Sequence, residues 1–168
     1  MQFLNVQLYG LSGRSHPALQ GIMTTRDAKK LRLHLKFLTC DFMSNERLSL
    51  DQPNISSACS LCNALLDSTS HILVSCRSTS DVRSRLWPEL MNTVAAVQPM
   101  SKILDPNPPP ELLTLFILDC SSFNLPCSIR IPAHNPKISA IYRVARDWCF
   151  GIASERSRLF RLLRAKTT

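Results

Sequence analysis

This sequence predicts a mainly α fold, with amphipathic helices set around a small knuckle that bears cysteine and histidine, and a long basic helix closing the chain. Three observations carry that expectation. Apolar residues recur every three to four positions through two stretches rich in lysine and arginine, the period of a helix buried along one side. Only four glycines and 7% aromatic residues stand among 168, which weighs against an all-β sandwich. Three cysteines and one histidine crowd between Cys59 and Cys76, in a chain with four histidines in all.

Residues 1–24 have no clear period and contain Gly10, Gly13 and Pro17, so they read as a poorly specified lead-in. A module spanning 25–98 follows. Its first helix is expected over "TTRDAKKLRLHLKFLTCDFM", capped by Thr24 or Thr25. Leu31, Leu35, Leu38 and Phe42 fall on one side of its wheel and Arg26, Lys29, Lys30, Arg32 and Lys36 on the other, with Leu33 and Phe37 among the cations. After the polar stretch 44–58 and the cysteine cluster, Ser80 or Asp81 is expected to cap a second helix through Val82, Leu86, Leu90 and Val94. Pro88 lies inside that pattern and should kink the helix or restart it, because it lacks an amide hydrogen.

Residues 99–110 hold Pro106 and Pro108 to Pro110, a proline-rich linker and a boundary between subdomains. The segment 111–168 is then a carboxy-terminal helical unit. "ELLTLFILDC" reads as a short buried helix, with a strand as the alternative. Residues 121–134 are irregular and punctuated by proline. Asn135 as cap and Pro136 at the first helical position open a long helix to about Arg164. Ile138, Ile141, Ala145, Trp148, Ile152, Leu159 and Leu163 gather on one side of it, with Arg143, Arg146, Arg161 and Arg164 opposite. Arg156 alone intrudes on the apolar side.

The net charge of +8 is unevenly placed. Residues 1–50 carry seven basic and three acidic side chains and 137–168 carry eight and two, while 51–136 is slightly acidic. Clustered cations at both ends suit a polyanion, whose counterions are released where phosphates are neutralised. The opening residues lack both a charged start and a sustained apolar run, and "LLTLFIL" (112–118) is too short to cross a bilayer. The expectation is an intracellular protein of cytoplasm or nucleus, not secreted and with no membrane partner, where thiols stay reduced.

In that setting Cys59-x2-Cys62-x8-His71-x4-Cys76 has the composition and spacing of a tetrahedral zinc site. The short loop of a CxxC pair lets both thiolates face one ion, and Asp67 or Ser68 can cap a short helix that brings His71 and Cys76 toward it. Four protein ligands leave no coordination position for water or substrate, so the zinc would be structural. The alternative is ordinary burial of small thiols beside a satisfied histidine. The third cysteine and the histidine at ligand spacing favour metal, and an odd total of seven cysteines disfavours a closed disulfide framework. Cys120, Cys127 and His134 are evenly spaced by seven but lack a fourth ligand and read as ordinary residues, and Cys40 and Cys149 as core positions. No GxSxG elbow, glycine-rich phosphate loop or paired carboxylates are present; Asp105, Asp119 and Asp147 share no motif. The chain is not expected to be an enzyme on its own.

The run "LRLHLKFLTCDFM", a spacer, and "CSLCNALLDSTSHILVSCRSTSDVRSRLWPEL" resemble the carboxy-terminal region of reverse transcriptases encoded by non-LTR (LINE-type) retrotransposons, which carries a Cys-Cys-His-Cys zinc-binding domain downstream of the polymerase. The resemblance spans residues 22–98 and extends more faintly through "LLTLFILDCSSFNLPCSIRIP" and "VARDWCF". It implies zinc ligands at Cys59, Cys62, His71 and Cys76, an arginine-bearing helix with Arg83 and Trp87, and a role in gripping RNA or target DNA during reverse transcription. Where the family often has Leu-Thr-Gly-His, this chain has Leu38, Thr39, Cys40 and Asp41; a positive φ there would strain Cys40. The polymerase aspartates and the endonuclease are absent from this sequence, so the expectation is a detached tail of a longer element protein: a gene-prediction fragment, a decayed copy or a retained host gene.

Phosphate contacts are expected from Lys29, Lys30, Arg32 and Lys36 on the first helix and Arg143, Arg146, Arg161 and Arg164 on the last. Phe42, Trp87 and Trp148 can stack on bases, but their helical spacing favours the core. The rival function is a zinc-stapled protein-interaction module whose basic helices meet an acidic protein or a polymerase domain absent from this chain. A decayed transposon product without function is the third reading.

Overall fold

The computed structural model describes residues 24–96, 108–120 and 136–167. The expectations for the lead-in, for most of the linker, for the irregular stretch with Cys127 and His134, and for Asn135 as a cap lie outside the described residues. The architecture is mainly α, with the cysteine–histidine knuckle between amphipathic helices and a long carboxy-terminal helix, and no strand occurs among the described residues.

Thr24 opens α1 (Thr25–Leu38) through a capping box. Its hydroxyl accepts from the Asp27 amide at 3.1 Å, and the Asp27 carboxylate accepts from the Thr24 amide at 3.2 Å. The buried residues are Leu31, His34, Phe37 and Leu38, so the inward stripe is turned away from the Leu31–Leu35–Leu38 line that the sequence suggests. The cause is His34, whose polar ring becomes a core residue once both nitrogens have neighbours: Nε2 lies 2.9 Å from the Leu118 carbonyl and Nδ1 3.8 Å from the Cys149 sulfur. Phe37 is therefore fully buried rather than among the cations, and Phe42 stacks on it with ring centroids 3.9 Å apart.

α1 ends in a turn where Cys40 takes φ 60°. That is left-handed backbone, in which a side chain with a Cβ is crowded against its own carbonyl. A short α2 (Asn45–Asp51), capped by Ser44, leads into the knuckle. A single π-helical turn (His71–Ser75) and a 3₁₀ turn (Arg77–Thr79) carry the chain into α3 (Ser80–Ala95). The cap of α3 is Thr79 rather than Ser80 or Asp81, and its hydroxyl makes no capping bond; it donates to the Cys76 carbonyl and accepts from Arg83. α3 passes through Pro88 without restarting, burying Val82, Leu90 and Val94.

α4 (Pro110–Leu118) resolves the helix-or-strand alternative as a helix, with Pro110 in its first turn, where a missing amide hydrogen is harmless. α5 (Pro136–Thr167) is the spine of the molecule: α1, α3, α4 and the π turn all pack against it. It closes on α3 at Gly151, where an added Cβ would lie 3.2 Å from Leu86 Cδ1 and from Val82 Cγ1. Two buried polar tethers hold α5. Tyr142 donates to the Asp119 carboxylate at 2.7 Å, and the Trp148 indole donates to the Leu73 carbonyl at 3.0 Å. Residues on both sides of the 99–110 stretch share one hydrophobic cluster, from Leu31 and Phe37 to Phe116, Ile141 and Trp148.

Replacing Cys40 with glycine relieves the left-handed turn, so Cys40→Gly should stabilise the protein by about 0.5–1 kcal/mol. Denaturant unfolding measures this, and a destabilised variant would mean the side chain contributes more than the turn costs.

Candidate metal centre

The knuckle is shaped by its backbone. The Cys59 amide donates to the Ala64 carbonyl at 2.8 Å, and the Asn63 amide donates back to the Cys59 carbonyl at 2.8 Å. Asn63 takes the positive φ of 59° that this tight loop needs, a conformation that asparagine tolerates better than most residues. From the other side, the Cys76 amide reaches the His71 carbonyl at 2.7 Å across the π turn, folding that pair inward. Just ahead of this turn the Ser68 hydroxyl, not the Asp67 carboxylate, accepts from the His71 amide at 3.1 Å, while Ser70, which directly precedes the turn, makes no capping bond.

These loops bring the donor atoms of Cys59, Cys62, His71 and Cys76 within 4.8 Å of one another, a cluster that can hold a metal ion. Cys59 and Cys76 sulfurs lie 3.9 Å apart, Cys76 and Cys62 sulfurs 3.8 Å, and Cys62 Sγ and His71 Nε2 3.3 Å. A zinc ion bound tetrahedrally at about 2.3 Å from sulfur and about 2.0 Å from nitrogen would set edges of roughly 3.8 Å and roughly 3.5 Å. The thiols are free, and their spacing is far from the roughly 2.05 Å of a disulfide.

The electrostatics explain the arginine that broke the apolar side of the last helix. Arg156 is 3% exposed; its Nη2 donates to the Asp67 carboxylate at 2.9 Å and its Nη1 to the Cys59 sulfur at 3.7 Å. Asp67, fully buried, also accepts from the Asn45 amide at 3.1 Å. Arg83 is a second cation beside the cluster, facing Cys76 and Cys62 while donating to Thr79 at 2.8 Å. With a dication bound, three thiolates would leave one net negative charge and Asp67 would add another; Arg156 and Arg83 would balance both.

Burial pushes the Cys59 thiol up to about 11, against the opposing pull of the Leu61 and Cys62 amides and of Arg156. Burial acts the same way on Cys62, but the Ala64 amide and the neighbouring thiols outweigh it, and its pKa falls below the usual thiol value. Burial also lowers His71; Asp67 opposes this, and Arg156 and Arg83 reinforce it. A neutral imidazole is the form that binds metal.

The cations expected at phosphates divide. Lys29, Arg32, Lys36, Arg143, Arg161 and Arg164 are exposed. Lys30 is mostly covered and pairs with Asp147. Arg146 is 4% exposed and lies in the field of Asp27 and Asp147, so it is a buried residue rather than part of an outward stripe. Of the aromatics, Trp148 is buried, whereas Phe42 and Trp87 are partly covered at the edge of the core. Arg156, Asp67 and Arg83 surround the site without standing out by spacing; the one sequence signal was an arginine on an apolar helix side. No helix among the described residues is long and apolar enough to cross a membrane. No protein-family profile, curated protein or solved structure matches the chain.

Arg156→Met should leave Asp67 buried without its cation and lower stability by roughly 3–5 kcal/mol; an unchanged denaturation midpoint would show that the pair contributes nothing. Because the metal must displace the Cys59 proton across the neutral range, apparent affinity should fall about tenfold per pH unit, for each proton displaced, from about pH 8 to about pH 6. Competition with a chelator reads this directly, and a flat profile would count against thiolate ligation.

Proposed function

We propose that the chain is a non-catalytic, zinc-stabilised nucleic-acid-binding unit derived from the carboxy-terminal region of a non-LTR retrotransposon reverse transcriptase. The ion is structural zinc, held by Cys59, Cys62, His71 and Cys76. Three sulfurs and one imidazole form a soft donor set that suits zinc, and the four fill its shell. Zinc would neutralise the thiolates and fix the knuckle; no step of chemistry is assigned to it.

The observation that carries the reading is the placement of the exposed cations. Lys29, Arg32 and Lys36 stand outward on α1, whose inner side is fixed against α5, and Arg143 stands outward on α5 itself. Rigid mounting lowers the entropy lost when such side chains meet a phosphate backbone, and contacts of this kind give affinity without reading sequence. Arg161 and Arg164 extend the positive surface along the far end of α5. The second reading, a docking unit for a polymerase domain, has Leu162 and Leu163 in its favour, which are 48% and 43% exposed on that same end.

The test is binding to generic single-stranded RNA and duplex DNA over a range of salt. The logarithm of affinity should fall linearly with the logarithm of salt concentration. Replacing Lys29, Arg32 and Lys36 together by glutamine should reduce the single-strand slope by about two. No binding at low salt would sink the reading.

A further inference from the structure

Beside the metal centre, where the π turn, α3, α4 and α5 meet, a cleft of about 370 Å³ opens between Val74, Arg83, Ser84, Trp87, Leu113 and Trp148. It is large enough for a small planar group, since ligand clefts run from roughly 300 to 1,000 Å³. Its chemistry is narrower than its size. Trp87 and Trp148 meet edge to face, with centroids 6.3 Å apart and planes at 63°, so the buried Trp148 backs the Trp87 ring, and Trp87 supplies the aromatic surface open to a ligand. The Trp148 N–H is already given to the Leu73 carbonyl, so that ring offers the cleft no donor. Trp87 is partly exposed and lies on the rim of the core.

The polar member is Arg83. One of its terminal nitrogens donates to Thr79 at 2.8 Å, which fixes the guanidinium plane while the fork carries further N–H donors. A rigid cation beside indole rings and aliphatic walls selects a flat, π-rich group that carries hydrogen-bond acceptors. An acidic peptide would find too little charge here, and a purely aliphatic side chain would leave the guanidinium unsatisfied.

We propose that this cleft takes one unpaired nucleobase of a single strand, stacked against Trp87 with Arg83 at its acceptor edge. This rests on the nucleic-acid reading above and deepens it: the cations of α1 and α5 hold backbone, while the cleft holds a base that a duplex keeps stacked and paired. The protein would then prefer single strands, or ends and loops, over duplexes.

The test uses the zinc-loaded 168-residue chain with three probes of equal length: a single-stranded RNA, the same backbone made abasic throughout, and a duplex. The base-bearing strand should bind at least fivefold tighter than the abasic one and quench tryptophan emission. Trp87→Leu should bring its affinity down to the abasic level with metal content and salt slope unchanged, and Trp87→Phe should keep most of the affinity while losing most of the quench. Equal affinity for base-bearing and abasic strands overturns the base cleft and leaves the backbone grip standing, a comparison that needs no variant to fold. Failure to bind all three probes at low salt removes both.

Discussion

The buried pair between Arg156 and Asp67 is the constraint on which the arrangement of the molecule depends. It joins the longest helix to the least regular part of the chain, at a point where neither charge has access to water. An isolated charge of either sign in such a place is strongly disfavoured, so the pair forms only when α5 and the knuckle are both in place. The Cys59 sulfur at the other arm of the guanidinium extends the dependence to the cysteine–histidine cluster. Knuckle geometry and helix docking are therefore one coupled event, which an ion held by the cluster would join.

The remaining buried polar contacts repeat this logic on a smaller scale. Tyr142 ties α5 to the residue just after α4, Trp148 ties it to a carbonyl of the π turn, and His34 ties α1 to the last carbonyl of α4. The Trp148 and His34 contacts meet carbonyls where regular helical bonding runs out, and the Tyr142 contact gives the buried Asp119 carboxylate a donor. Apolar packing supplies most of the driving force, and these bonds select one register from the several that leucine and isoleucine alone would accept.

Much of this was legible in the sequence, and the parts that were not share a cause. The knuckle ligands announce themselves through spacing, because coordination geometry constrains loop length directly. The long helix announces itself through a proline at its start and a nearly clean apolar side. Apart from Cys40, expected in the core and exposed at the end of α1, errors arose where a polar residue turned out to be covered. His34 shifted the inward line of α1, Arg146 and Lys30 left the outward cations, and Thr79 traded capping for a bond to Arg83. Patterns of hydrophobicity count such residues as surface; only a partner brought from a distant part of the chain makes them core. Arg156 belongs with them, and its misfit on the helical wheel was a trace of Asp67, 89 positions away.

The continuity of α5 past Arg156 sets the azimuth of everything beyond it. A helix turns by about 100° and rises by about 1.5 Å with each residue, and Trp148 and Arg156 pin its rotation at two depths. Arg161 and Arg164 thus point in directions dictated from inside the protein, as hands on a dial are set by the shaft. One residue inserted between Trp148 and Arg156 would leave every distal cation present and the composition almost unchanged, yet swing that stripe through more than a quarter turn. For this end of the molecule, the length of chain between two buried anchors carries as much information as the identity of the charges it displays.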